Sequence, residues 1–386
     1  MSTPLARTLP ALRMAALPLL LATAGNVQAA EFKAGDWTVS VGGIVNAYYT
    51  SVSCSGSQAV SGLTLGAEGL GCGGKSGATN VGNGLLPNAL ITSVKGKQDG
   101  LDIGATLMIG AAVSSSDSIG NNNNVDVRQG FFTIGSASAG TVKLGRDYGL
   151  FGANAILSDM TLLGVGAPVQ ATQGNRVSLG HIGAGYSYLG HYGQIAYALP
   201  AMGGLSLSAA VMSPVNAFAN ANATAGRSPQ VQGLAAYATG STKLWLAAKS
   251  QPFKGNATQP GFTMSGVELG GSAAFGSFGL LANLQKGKGL GVLADGDNGD
   301  QKQTNWVLQG TMTLDKLKLG LSVGETRLDG GTGTDLKKNA NTTLGAYYSL
   351  TKSVTLVGEL SRTSSASAAG DTARMSGAAL GGILFF

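Results

Sequence analysis

The chain has 386 residues, of which 62 are glycine, 2 are cysteine and 2 are histidine, and only 11% are charged. Soluble domains carry roughly 25% charged residues, so an ordinary water-exposed surface is excluded. Beyond the N-terminal segment, no apolar run approaches the ~20 residues that a membrane-spanning helix needs.

Arg7 and Arg13, the apolar run from Met14 to Leu21, and Val27-Gln28-Ala29 together predict a cleaved export signal over residues 1–29. Pro18 interrupts that run, and its length is too short to span a bilayer. Without Arg7 and Arg13, 23 basic residues face 19 acidic ones. This surplus is small and lacks interleaved aromatics, so no nucleic-acid partner is expected. Residues 30–386 are expected to form one exported domain with no internal linker.

From Asp36 onward, apolar residues alternate with small or polar ones in short segments separated by turn residues. Strands are predicted near 36–50, 88–97, 101–113, 125–135, 141–151, 192–199, 205–213 and 230–239. Eight more follow near 242–250, 266–275, 278–287, 304–314, 316–326, 341–350, 353–363 and 374–386. Tight connections such as Gln98-Asp99-Gly100 and Phe275-Gly276-Ser277-Phe278 alternate with long polar ones such as 114–124, 216–228, 293–303 and 328–340. An even strand count, with short turns on one side and long loops on the other, fits a closed barrel whose alternate residues face lipid. The expected fold is all-β, a 16-stranded antiparallel transmembrane β-barrel with long extracellular loops.

Strand parity assigns the charges. Lys143, Lys249 and Lys318 alternate with lipid-grade neighbours and are expected to face the lumen, as are Glu268 and Glu359. A charge facing lipid near mid-membrane would cost roughly 2–4 kcal/mol. Arg146 instead shares the outward face of its strand with Val142 and Leu144.

Other motifs carry less. Gly69 to Ser76 matches a phosphate-binding loop literally, but its flanks lack the strand and helix that chemistry needs. Cys54 and Cys72 both fall in the first long loop, and in an exported chain they are expected to form a disulfide. The stretch Asp295 to Asp300 resembles a calcium loop but has Trp306 where a bidentate glutamate belongs. His181 and His191 have no positioned catalytic partner in the sequence. Tyr148, Tyr186, Tyr188 and Tyr192 suit either a sugar-sliding track or packing. No enzyme activity, cofactor or metal is expected.

Val127 to Gly135, Gly140-Thr141-Val142-Lys143-Leu144-Gly145-Arg146-Asp147-Tyr148-Gly149, Asn175-Arg176-Val177 and the terminal Phe386 resemble the trimeric general diffusion porins of the Gram-negative outer membrane. The resemblance spans essentially the whole mature length. It implies a homotrimer of passive pores for small hydrophilic solutes, in contact with outer-membrane lipid and lipopolysaccharide. Phe386 would then be part of the signal read by the barrel-insertion machinery. The third long loop, from about Gly152 to His191, would fold inward and narrow the lumen. On that pattern Asp159 is the loop-side charge, facing Arg128 and Arg176 on the wall. The family's second-strand arginine is replaced by Ile91, ahead of Val94-Lys95-Gly96, so the arginine cluster is depleted. Arg146 matches an arginine at the trimer centre, where it would meet Asp117 or Asp126 of the adjacent subunit. With basic groups outnumbering acids inside, a weak anion preference is expected. The competing readings are a plugged structural or adhesin barrel and a channel preferring a specific solute class.

Overall fold

The computed structural model describes residues 29–57, 60, 76–111, 113, 125–168, 178–217, 223–256 and 260–386. The proposed signal segment before Ala29, Cys72, Asp117 and Arg176 lie outside them.

The strands, in chain order, are β1 (Ala30–Ala34), β2 (Trp37–Gly56), β3 (Gly77–Gly82), β4 (Asn88–Gln98), β5 (Leu101–Ala111), β6 (Val125–Ser136), β7 (Gly140–Tyr148), β8 (His191–Ala198), β9 (Leu205–Met212) and β10 (Thr224–Ala225). They continue as β11 (Gln230–Thr239), β12 (Thr242–Lys254), β13 (Phe262–Phe275), β14 (Phe278–Lys288), β15 (Lys302–Leu314), β16 (Leu317–Asp329), β17 (Leu336–Ser349), β18 (Val354–Ser367) and β19 (Thr372–Phe385). β1, β3 and β10 are short additions to the edges of longer strands. The other sixteen pair antiparallel with their chain neighbours, and β19 closes on β2. Most long strands start and end within four residues of their predicted limits, but β2 runs on to Gly56 and β17 starts at Leu336, both longer than expected, and the three short strands have no counterpart in the sequence reading.

Turn chemistry sets the register at one end. Asp99 and Gly100 both adopt positive φ, 49° and 82°, which a two-residue hairpin matched to the strand twist requires. Asp315 takes the corresponding position in the β15–β16 turn, at φ 52°.

At the seam, β1 carries on the line of β19. Ala30 pairs with Val41, Phe385 pairs with Ile44, and Phe386 O accepts from Gly43 N at 2.8 Å. Gly42 lies in this junction, where a Cβ would fall 2.6 Å from Phe386 O.

The two faces of the wall differ as barrel geometry requires. Leu246, Leu269, Leu284, Leu308, Leu344 and Leu360 stand outward and exposed. The buried apolar core lies inside. It is built from the β7–β8 connection, hereafter loop 3, which contains helix α1 (Ala153–Ser158) and a 3-10 turn (Met160–Leu163). Ala155, Ile156, Leu162, Leu179, Ile182 and Tyr186 pack there. A second connection, between β14 and β15, also folds inward. It buries Leu290, Val292 and Leu293, although 293–303 reads as a projecting polar loop in the sequence. The apolar triplet at its start supplies the reason: those side chains leave water by packing beside loop 3.

Candidate functional site

Loop 3 crosses the lumen, and the wall holds it by its backbone. Glu268 on β13 accepts from Gly152 N at 2.5 Å and from Trp245 Nε1 at 2.9 Å. Glu359 on β18 accepts from Val165 N at 2.8 Å, Gly166 N at 2.7 Å and Tyr347 OH at 2.5 Å. Gln232 takes the amides of Leu150 and Phe151, and Gln309 takes that of Met160. Tyr48 OH donates to Leu163 O, and Asn339 Nδ2 donates to Gly183 O. Glu268 and Glu359 thus point inward as parity requires. Both are buried anchors of loop 3, however, and not open lumen charges.

Asp159 differs from expectation in the same way. Its side chain is fully buried. Oδ2 meets His181 Nδ1 at 3.1 Å and Tyr186 OH at 2.7 Å, while Oδ1 accepts from Thr161 N at 2.9 Å. Burial alone would raise the Asp159 carboxyl. The His181 ring, with the donors from Tyr186 and Thr161, outweighs burial and holds it below its ordinary value. Asp159 therefore organises loop 3 from within and presents no charge to the passage.

His181 does have partners, contrary to the sequence reading. Its Nε2 lies 3.3 Å from Ser322 Oγ on β16, which completes the chain Ser322–His181–Asp159. The order matches a nucleophilic triad. All three side chains are sealed from solvent, so the arrangement serves to fasten loop 3 to the wall. Alternation alone cannot reveal such a link, because it joins residues far apart in the chain.

The predicted wall cations fall into two groups. Arg128 Nε contacts Asp126 Oδ2 at 2.6 Å, and its guanidinium reaches Tyr188 OH at 3.4 Å. A register shift between Met108 and Gly110 on the facing strand accompanies its burial. Arg128 lies in this bulge, between Asp126 and Gln129, where simple alternation does not hold. Lys143 is ion-paired with Asp147 and lies 5.3 Å from the Phe131 ring centroid. Lys249 meets Asp295 Oδ1 at 2.6 Å.

Lys318 is less committed. It lies 5.4 Å from the Tyr347 ring centroid with no ion pair among the described residues. Lys243 and Lys95, which sequence reasoning passed over, also face inward by register, paired with Ser272 and Gly104. Lys243 Nζ donates to Asn154 Oδ1 at 2.6 Å. All three lie near the short-turn end of their strands. At that rim Asp102 sits 3.8 Å from Lys97.

Arg146 projects outward. It shares a face with Phe132 and Leu144, and its Nε donates to Val127 O at 3.1 Å. Across the ladder its neighbours are Gly130 and Gly193, which leave the guanidinium exposed. A shallow apolar depression lined by Val94, Ala105, Leu107, Phe132 and Leu144 lies on the same outer face. Cys54 is disulfide-bonded, and it lies on β2, paired with Met375 of β19, and not in the first long loop as expected, because the strand runs on to Gly56. Tyr186 and Tyr192 are buried against Asp159 and Asp295, which favours packing over an open sugar track. No metal-binding cluster occurs among the described residues.

A family model described as Gram-negative porin matches residues 15–367. The structure superposes on the outer membrane channel DcaP of Acinetobacter baumannii with a TM-score of 0.68 at 15% identity, covering 93% of this chain and 100% of that one. An OmpF structure from Salmonella typhi, in complex with daunomycin, gives 0.59 at 13% identity over 91% and 100%. The trimer form of OmpT from Vibrio cholerae gives 0.54 at 12% identity over 91% and 100%. No curated protein sequence matches the chain.

Proposed function

Since this chain belongs to the Gram-negative porin family and is an outer-membrane β-barrel channel, we propose that it is a passive, non-enzymatic pore for small hydrophilic solutes with a weak preference for anions. The observation that carries the preference is the fate of the inward charges. Glu268 and Glu359 are buried against loop 3 backbone, Asp159 is sealed within loop 3, and Asp147 is paired with Lys143. Lys95, Lys243 and Lys318 keep no acidic partner among the described residues, and they stand on the side of loop 3 nearest the short turns. In a narrow passage each such charge is magnified. Arg176 would add to them from the end of loop 3.

The reading includes a homotrimer, supported by the trimer form of the OmpT structure and by the outward Arg146. Lipid and lipopolysaccharide would cover the remaining apolar outer face, and Phe386, at the seam, would serve as the insertion signal. Cys54 and Cys72 would pin the first long loop.

The test is planar-bilayer conductance under a salt gradient. Steps that close in threes and a reversal potential of anion-selective sign are expected. Replacing Lys95, Lys243 and Lys318 together by glutamine should move the reversal potential toward zero. Firm cation selectivity of the wild type would refute the preference.

A further inference from the structure

Inside the barrel, a carboxylate is held by groups that belong to other elements than its own. Asp295, on the β14–β15 loop, places Oδ1 2.6 Å from Lys249 Nζ of β12. Its Oδ2 accepts from Gln230 Nε2 of β11 at 2.9 Å and from Tyr192 OH of β8 at 2.8 Å. All four side chains are buried. The amide of Gln230 is oriented from behind, because its Oε1 accepts from Gln232 Nε2 at 2.5 Å. The Phe151 ring centroid of loop 3 lies 4.9 Å from Lys249 Nζ and gives the cage an aromatic side. One ammonium and two neutral donors converge on the two oxygens of one carboxylate, so that each oxygen has at least one donor.

The receptor and its occupant are built differently. The three donors stand on strands of the barrel wall. The occupant rides on a loop in which Gly289, Gly291, Gly296 and Gly299 adopt φ of 65°, 74°, 73° and 65°. That loop also holds its own shape without the cage. Asp297 accepts from the amides of Val292, Leu293 and Ala294 at 2.8, 2.8 and 3.0 Å. Asp297 therefore shapes the loop, and Asp295 attaches it to the wall.

We propose that Lys249, Gln230 and Tyr192 form a carboxylate-binding site of the channel, which the chain's own Asp295 fills as a tethered stand-in for small monocarboxylate solutes. The proposal deepens the pore reading above and rests on it. An aspartate side chain is chemically a tethered acetate, so acetate is the smallest probe that reproduces its contacts. A group on a short tether competes at an effective concentration on the order of millimolar. Free carboxylates must exceed that level in the wild type and need not once Asp295 is gone.

The test is single-channel recording of trimers in which acetate replaces chloride at constant ionic strength, with Asp295→Ala and the double variant Asp295→Ala/Lys249→Gln. Acetate should reduce the Asp295→Ala current saturably, at a concentration at least tenfold lower than in the wild type. The double variant should show no saturation. An Asp295→Ala channel that conducts chloride normally yet gives no saturable acetate effect overturns the proposal and leaves the pore reading intact. Folded trimers without chloride current overturn the pore reading itself.

Discussion

Asp159 and His181 meet at 3.1 Å with neither side chain exposed at all, which makes their contact the fastening of loop 3 and not a feature of the passage. Asp159→Ala would leave His181 Nδ1 and Tyr186 OH buried without an acceptor. Each such loss costs about 1–3 kcal/mol. The expected result is a lower unfolding temperature and a noisier, larger single-channel current as loop 3 loosens. The pH dependence follows from the carboxyl's lowered value. An acid depressed in the folded state adds stability that is present above its unfolded value of about 3.9 and lost as pH falls through the folded one. Wild-type channels should thus keep their conductance down to about pH 4. An opening transition at pH 6 would show that Asp159 is not the controlling acid.

The wall anchors can be separated from the loop's own bonds. Glu359 and Glu268 receive only donors: two backbone amides and a tyrosine for the first, a backbone amide and an indole for the second. Glutamine at either position turns one acceptor oxygen into an NH2 group facing a donor. A buried donor left without an acceptor costs about 1–3 kcal/mol, so each substitution should cost a similar amount. Glu359→Gln is expected to speed hydrogen exchange at Val165 and Gly166, and Glu268→Gln at Gly152. The barrel strands should keep their protection in both variants. Uniform loss of protection would mean that these acids stabilise the whole barrel.

Asp297 titrates in the opposite sense to Asp159. Burial pushes its carboxyl up to about 6, against the pull of the Leu293, Val292 and Ala294 amides. The folded loop then binds a proton more tightly than the released loop does. Stability of the docked loop should rise as pH falls from 7 toward 5. Hydrogen exchange of residues 289–301, corrected for intrinsic rates, is the measurement, and Asp297→Asn should flatten its pH dependence. Protection that falls with acid would place the titration elsewhere.

Much of this architecture is legible in the sequence because the barrel is a periodic object. Lys143, Lys249, Lys318, Glu268 and Glu359 all face inward, as alternation with Leu and Val requires. Arg146 faces outward for the same reason. Their roles are a different matter. Whether Glu359 is an open charge or an anchor depends on Val165 and Gly166, which lie almost two hundred residues away. The same holds for Ser322 and His181. Arg128 escaped parity because a bulge shifts the register beside it. The inward β14–β15 loop was hidden by its composition: aspartate, glycine and asparagine read as solvated, and only Leu290, Val292 and Leu293 hint that the loop turns inward.

The outward position of Arg146 leads to the last prediction. A cation on the lipid face is disfavoured by roughly 2–4 kcal/mol near mid-membrane and by less toward the interfaces. Among the described residues Arg146 gains only a backbone contact, Val127 O at 3.1 Å, from its own chain. It stands between Gly130 and Gly193, where another surface can approach closely. Of the two acids proposed for it, Asp126 is already paired with Arg128 at 2.6 Å, which leaves Asp117 as the better candidate. If a neighbouring subunit covers this face, removing the guanidinium strips the interface of its charge and leaves the lumen untouched. Arg146→Ala should therefore lower the dissociation temperature of the oligomer while conductance per pore stays the same. Arg146→Lys should fall between the two, since it keeps the charge but loses the planar fork of donors. An unchanged dissociation temperature would place the subunit contact on a different arc of the barrel.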